Sequence, residues 1–193
     1  MVTLEQIKSL RESTGLSVMQ VKKALEEANG DAVKALALLK KKSKDIAAKK
    51  ADRTFGAGAI ASYIHNKGAV GAMIELSCET DFVSGNEAFQ KLAYDIALHV
   101  AASNPEYVTL QNITDEAKET AKGLFLKEVE SKPKELKEKI LQGKLDAYFK
   151  ERVLSEQPFV KNPEVTVGEL INEAIQKFGE KIAVGRMVRY SIK

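Results

Sequence analysis

Apolar and polar positions change their period several times along the chain. In the first forty residues the spacing is helical: Leu4, Ile7 and Leu10 make one stripe, Val18, Val21, Leu25 and Ala28 a second, and Val33, Leu36 and Leu39 a third. Each predicted helix carries its own signals. Thr3 with Gln6 and Ser17 with Gln20 are spaced as capping boxes, Asp31 opens the third helix, and Gly15 and Gly30 close the first two. Further on the period falls to two. Val70, Ala72, Ile74, Leu76 and Cys78 alternate with Ala69, Gly71, Met73, Glu75 and Ser77, which predicts a strand ending near Cys78. Gly56 to His65 has strand composition, with Ile60 and Ile64 on one face and Tyr63 on the other, and Asn66-Lys67-Gly68 reads as a hairpin loop.

The helical period returns at Phe89, Leu92, Ala93, Ile96 and Val100, with Ser84 and Glu87 spaced as its capping box and Asn104-Pro105 as its stop. Glu106 to Thr109 suits a short edge strand. Asp115 to Leu154 is charged and helical, with breaks expected at Pro133 and Gly143 and an inner face of Leu136, Ile140, Leu145, Phe149 and Val153. Thr166 with Glu169 starts another helix, Gly179 closes it, and Ile182, Val184, Val188, Tyr190 and Ile192 alternate as a last strand. The predicted fold class is α+β: a small three-helix N-terminal domain with a basic linker over residues 1–52, then, over 53–193, an antiparallel-sheet core with helices packed on it.

Between the second strand and the helix that follows lies Cys78-Glu79-Thr80-Asp81-Phe82-Val83. Val83 falls where a side chain packs back on the helix, which leaves Asp81 and Phe82 one step outside. An aromatic at such a turn either plugs the core from a loop or stands out for a partner, and the pattern alone leaves both open. Met19 presents a similar choice, because it lies about 100° round the helix from Val18 and away from Val21 and Leu25. An exposed methionine there is either a lone surface residue or an adaptable contact.

Glu75 with Cys78-Glu79-Thr80-Asp81-Phe82-Val83 resembles the signature of the elongation factor Ts family. Thr14-Gly15, Lys22-Lys23-Ala24-Leu25 and Ala28-Asn29-Gly30-Asp31 resemble that family's first motif, and Gln157-Pro158-Phe159-Val160 a third. The resemblance implies that the N-terminal helices are a ubiquitin-associated-like domain and that residues 53–193 are a core and dimerisation domain. It implies a translation elongation factor that exchanges guanine nucleotide on elongation factor Tu, whether GDP-bound or nucleotide-free. Thr80, Asp81, Phe82 and Val83 would meet the partner, with Val18 and Met19 as a second contact. Phe82 and Asp81 would form a wedge that disturbs the Mg/phosphate site, while Thr80 and Val83 hold the turn in shape. About 140 residues follow the linker, fewer than in longer family members with a second lobe, and short members of this kind are expected to pair as homodimers.

Composition narrows the alternatives. The 193 residues are 44% apolar, enough for a true core. Thirty basic and 27 acidic residues give +3, yet Lys40 to Arg53 alone carries seven basic and two acidic side chains, a local +5, so the rest sits near −2. That is not the broad basic face of a nucleic-acid binder, and no direct nucleic-acid contact is expected. The basic run is either a solvated helix face or a local contact for phosphate or an acidic protein. One cysteine and two histidines offer no zinc set and little for nucleophilic catalysis: Cys78 shares the core face of its strand and His99 sits at the edge of a helix stripe. Gly56-Ala57-Gly58 lacks the helix a phosphate-cradling loop needs. No enzyme activity, metal or cofactor is expected. Without a basic, apolar leader or a spanning segment, the reading is a cytoplasmic protein with no membrane contact. Two competitors stand beside the exchange factor, a ubiquitin-associated-type adaptor and an RNA-associated translation protein.

Overall fold

The computed structural model describes residues 2–129 and 133–192. Three helices open the chain, α1 (Leu4–Thr14), α2 (Val18–Glu27) and α3 (Ala32–Lys49). The local chemistry works as the spacing predicts. Thr3 and Gln6 close a full capping box, Ser17 and Gln20 close another, and the Asp31 carboxylate accepts from the Lys34 N–H. Gly15 ends α1 in the left-handed region at φ 67°, where its N–H donates to the Arg11 carbonyl.

The buried cluster is Ile7, Leu10, Leu16, Val21, Ala24, Leu25, Ala28, Ala35 and Leu39. Three predicted core positions are corrected. Leu4, Val33 and Leu36 face outward, at 86%, 79% and 37% exposure. Val18, placed on the second stripe, is also exposed. On α3 the inner stripe is Ala35, Leu39 and Ser43, and the branched Val33 lies on the far side.

The sheet has order β1-β2-β5, from β1 (Ala57–His65), β2 (Val70–Cys78) and β5 (Ala183–Ser191). β1 and β2 form an antiparallel hairpin across Asn66, Lys67 and Gly68, all with positive φ. Ala72, Ile74, Leu76 and Cys78 are buried on one face of β2, as the period of two predicts. A short helical turn α4 (Asp81–Ser84) leads into α5 (Glu87–Ser103), whose Phe89, Leu92, Ala93, Ile96 and Val100 are buried. The expected Ser84–Glu87 box does not form. Asn86 starts α5 by accepting from the Ala88 N–H, and Ser84 Oγ donates back to the Asp81 carbonyl, because α4 has its own cap at Thr80.

Beyond α5, Glu106 to Thr109 does not form the expected strand: Tyr107 makes an isolated parallel bridge to Val153, and backbone bonds tie residues 106–108 to residues 152–155. The helices α6 (Asp115–Val129) and α7 (Lys134–Lys150) flank residues 130–132, which lie outside the described residues. α7 runs unbroken through Gly143, since one glycine in a long helix costs only about 1 kcal/mol. Leu136, predicted to face inward, is exposed, while Phe149 and Val153 join Ile113 and Ala121 in a core ringed by Tyr107 and Tyr148. A hairpin of β3 (Pro158–Phe159) and β4 (Asn162–Thr166) precedes α8 (Val167–Phe178). The chain divides into two compact units: residues 1–60, 75–93 and 169–183 make one, and residues 61–74, 94–168 and 184–193 the other. The first contains both the three-helix cluster and the turn around Phe82. No helix among the described residues is long and apolar enough to cross a membrane.

Candidate functional site: the Thr80–Ser84 turn

Where β2 ends, its backbone donors leave the ladder and need new acceptors. Gly56 and Gly58 let β1 run close against this end of β2; a Cβ on Gly56 would stand 2.6 Å from the Glu79 carbonyl oxygen. Thr80 then caps α4, its hydroxyl accepting from the Val83 N–H while donating at 2.6 Å to a Glu180 carboxylate oxygen. Val83 turns inward, 4% exposed, and anchors the turn. Phe82 points out, with its ring 84% exposed to solvent. Asp81 is exposed beside it, and its carboxylate makes no hydrogen bond or ion pair with the described residues.

The other residues singled out from the sequence fall elsewhere. Met19 is 75% and Val18 49% exposed, side by side at the start of α2. No hydrogen bond, ion pair or ring contact among the described residues joins them to the Thr80–Val83 turn.

Two of the three motifs turn out to build structure. Thr14 Oγ1 donates to the Leu10 carbonyl, Gly15 closes α1, Ala24 and Leu25 are core, and Asn29 and Gly30 take left-handed φ before Asp31 caps α3. The Gln157–Val160 motif wraps His99. That imidazole is fully buried; its Nδ1 accepts from the Val160 N–H at 3.2 Å, so the proton sits on Nε2, 2.9 Å from Gln157 Oε1. Gln157 Nε2 donates in turn to the Glu151 carbonyl, and Phe159 packs against the ring at 5.9 Å. Burial holds the His99 pKa below its ordinary value, which suits a neutral structural ring rather than a proton shuttle. Cys78 is fully buried with Sγ donating to the Thr80 carbonyl, and burial, then the Glu180 charge, pushes its thiol pKa up.

Four of the seven basic side chains of the Lys40–Arg53 run bond within their own fold. Lys42 pairs with Glu27 at 2.8 Å, Lys44 with Glu169 at 3.2 Å and Arg53 with Glu79 at 3.1 Å, while Lys50 donates to the Gly179 carbonyl. Among the described residues no three His, Cys, Asp or Glu side chains gather in a metal-holding group. The residues that sequence reasoning missed are Glu180 and Lys181, which reach the turn from the end of α8. No spacing rule could have found them, because Glu180 lies 100 residues beyond Thr80.

Fold and site together define an α+β protein whose distinguishing surface is a capped turn displaying an acid and an aromatic. The family model described as Elongation factor TS matches residues 5–193. Elongation factor Ts of Carboxydothermus hydrogenoformans is 43% identical over 194 residues, spanning 100% of this chain and 89% of the relative. Those of Thermodesulfovibrio yellowstonii and Moorella thermoacetica are 45% and 44% identical, spanning 99% and 100% of this chain and 96% of each relative. The chain belongs to the elongation factor Ts family, and its role is that of a translation elongation factor.

Proposed function

We propose that this protein is a guanine-nucleotide exchange factor for elongation factor Tu and acts by wedging Phe82 into its partner. The observation that carries the reading is a large apolar ring, 84% exposed, on a turn that its own chain holds in shape. Such a ring in water is energetically idle until a pocket takes it, and aromatic anchors of this kind dominate interface energies. The ring enters an apolar gap between helices of the partner's nucleotide domain, and Asp81 engages backbone or polar groups beside it. Shifting the elements that hold Mg²⁺ and phosphate uncovers phosphate charge, so GDP leaves and GTP takes its place.

The thermodynamics is linkage. A factor that binds nucleotide-free partner more tightly than loaded partner weakens nucleotide by the same ratio, about 1.4 kcal/mol for each tenfold. No bond is made or broken, so no catalytic acid or base is needed, and the burial of Cys78 and His99 is in keeping with that. Val18 and Met19 form a second apolar contact from the N-terminal helices. The test is the timed release of fluorescent GDP from elongation factor Tu. Phe82→Ala is expected to slow stimulated release about 30-fold, the loss of roughly 2 kcal/mol of a central anchor. Unchanged release by a folded variant would refute the wedge.

The protein further acts as a homodimer, paired through the open sheet face at its C-terminal strand. Ile64, Met73, Val188, Tyr190 and Ile192 are exposed there and border an open depression of about 390 Å³. An apolar patch of this kind closes on itself across a two-fold axis. Sedimentation should give a dimer, with Tyr190→Lys shifting it to monomer; a monomeric parent chain at micromolar concentration would refute the pairing.

A further inference from the structure

The Thr80–Ser84 turn is held from outside by a crossed pair of carboxylates. One Glu180 oxygen accepts from the backbone N–H of Glu79 at 3.1 Å and of Thr80 at 3.0 Å, and the other accepts from Thr80 Oγ1 at 2.6 Å. Reciprocally, the Glu79 carboxylate accepts from the Lys181 N–H and from Arg53 Nη1. Lys181 Nζ completes the tie by donating to the Ala51 and Arg53 carbonyls at 2.6 and 2.8 Å. Two adjacent residues, Glu79 and Thr80, are thus locked to two adjacent residues, Glu180 and Lys181. Glu180 can reach them because Gly179 ends α8 with φ +72°, a left-handed step that reverses the chain directly before it.

The three Glu180 bonds fall on Thr80 and the residue before it, at the cap of α4, and none on its exposed side. A four-residue helix has too few internal hydrogen bonds to persist alone. Buried Val83, the Cys78 thiol on the Thr80 carbonyl and the Gln90 amide on the Ser84 carbonyl hold the turn from below, and Glu180 alone takes the Thr80 N–H and hydroxyl from outside. We propose that Glu180 is a positioning residue for nucleotide exchange: its carboxylate organises the wedge before the partner arrives, so that binding energy is not consumed in ordering the turn. This rests on the reading of Phe82 as the wedge. Glu180 itself need touch neither partner nor nucleotide.

The experiment is a double-mutant cycle in the full chain, with GDP release from elongation factor Tu as the kinetic readout and melting followed in parallel. Glu180→Ala removes all three acceptor contacts and is expected to slow stimulated release on the order of tenfold. Glu180→Gln keeps an oxygen for the two backbone N–H groups and is expected to lose only about threefold. In a Phe82→Ala background Glu180→Ala should add almost nothing, because no ring is left to position. A general loss of folded protein would instead lower release by the same factor in both backgrounds.

Full release by Glu180→Ala, or an equal loss in both backgrounds, overturns the positioning role while leaving the wedge intact. Full release by Phe82→Ala sinks the wedge, and the positioning role falls with it. Should Glu180→Ala fail to fold, Glu180→Gln carries the same cycle. Its expected loss is then about threefold with Phe82 present and none without it; a loss that persists without Phe82, or no loss with it, counts against the role.

Discussion

The α1–α3 bundle and the Thr80–Ser84 turn are both short helical elements with a polar cap at the front, but they are kept in place differently. In the bundle each cap is answered three residues away, Thr3 by Gln6, Ser17 by Gln20 and Asp31 by Lys34, and the stripe then closes on Val21, Ala24, Leu25 and Ala35, all fully buried. In the turn Thr80 is answered locally by the Val83 N–H and a second time by Glu180, 100 residues along the chain, and a single side chain of α4, Val83, is buried. A helix that hides its apolar face can rely on local signals and packing. One that exposes its largest side chain gets little from packing and takes its order from the rest of the fold.

This contrast can be broken most easily in the bundle. Leu25→Ala should cost about 2–5 kcal/mol, the usual penalty for opening a cavity in a packed core, whereas Leu4→Ala should stay within about 0.5 kcal/mol. Chemical denaturation followed by circular dichroism separates the two; equal losses would mean that the outward position of Leu4 does not matter and the stripe is drawn wrongly.

The turn is expected to behave in the opposite sense. Phe82→Ala, the variant with the greatest effect on exchange, should shift stability by no more than about 0.5 kcal/mol, because the ring is already in water. A large drop in melting temperature would show that the ring packs in solution.

The smallest effect is one of pH at the turn. The N–H of Lys181, and then Arg53, hold the Glu79 carboxyl below its ordinary value of 4.5. Its folded pKa is thus lower than its unfolded one, so its contribution is complete above pH 4.5 and lost as pH falls through the depressed value. Amide exchange at Lys181, corrected for intrinsic rate, should lose protection on acidification in that range while the Leu25 amide does not. Parallel loss at both amides would indicate general acid unfolding.

The three capped helices, the β2 strand to its last residue and the buried stripe of α5 could all be read along the chain, because each depends on contacts within one or two turns or on a strict alternation. The inner face of α3 could not be read. Val33, Leu36, Leu38 and Leu39 offer two stripes, and the choice fell to Ala35, a residue with little hydrophobic signal of its own. Gly143 was a break in the pattern and not in α7, since the helix around it outweighs one weak position. At the site, the inward Val83 followed from its spacing, whereas the direction of Phe82 stayed open until the chain was folded. The residues that hold them did not, because no local pattern marks a carboxylate as the partner of a backbone donor a hundred positions away.

Residue order alone was enough to settle the first three helices, the β2 strand, the buried stripe of α5 and which family the motifs resemble, because capping, glycine turns and periodicity are short-range effects. Whether the aromatic at the end of β2 plugs the core or stands in solvent was left to the folded chain. That outcome depends on Glu180 and Lys181 arriving from the far end of α8, and the bonds they form with Glu79 and Thr80 exist only once distant segments have been brought together.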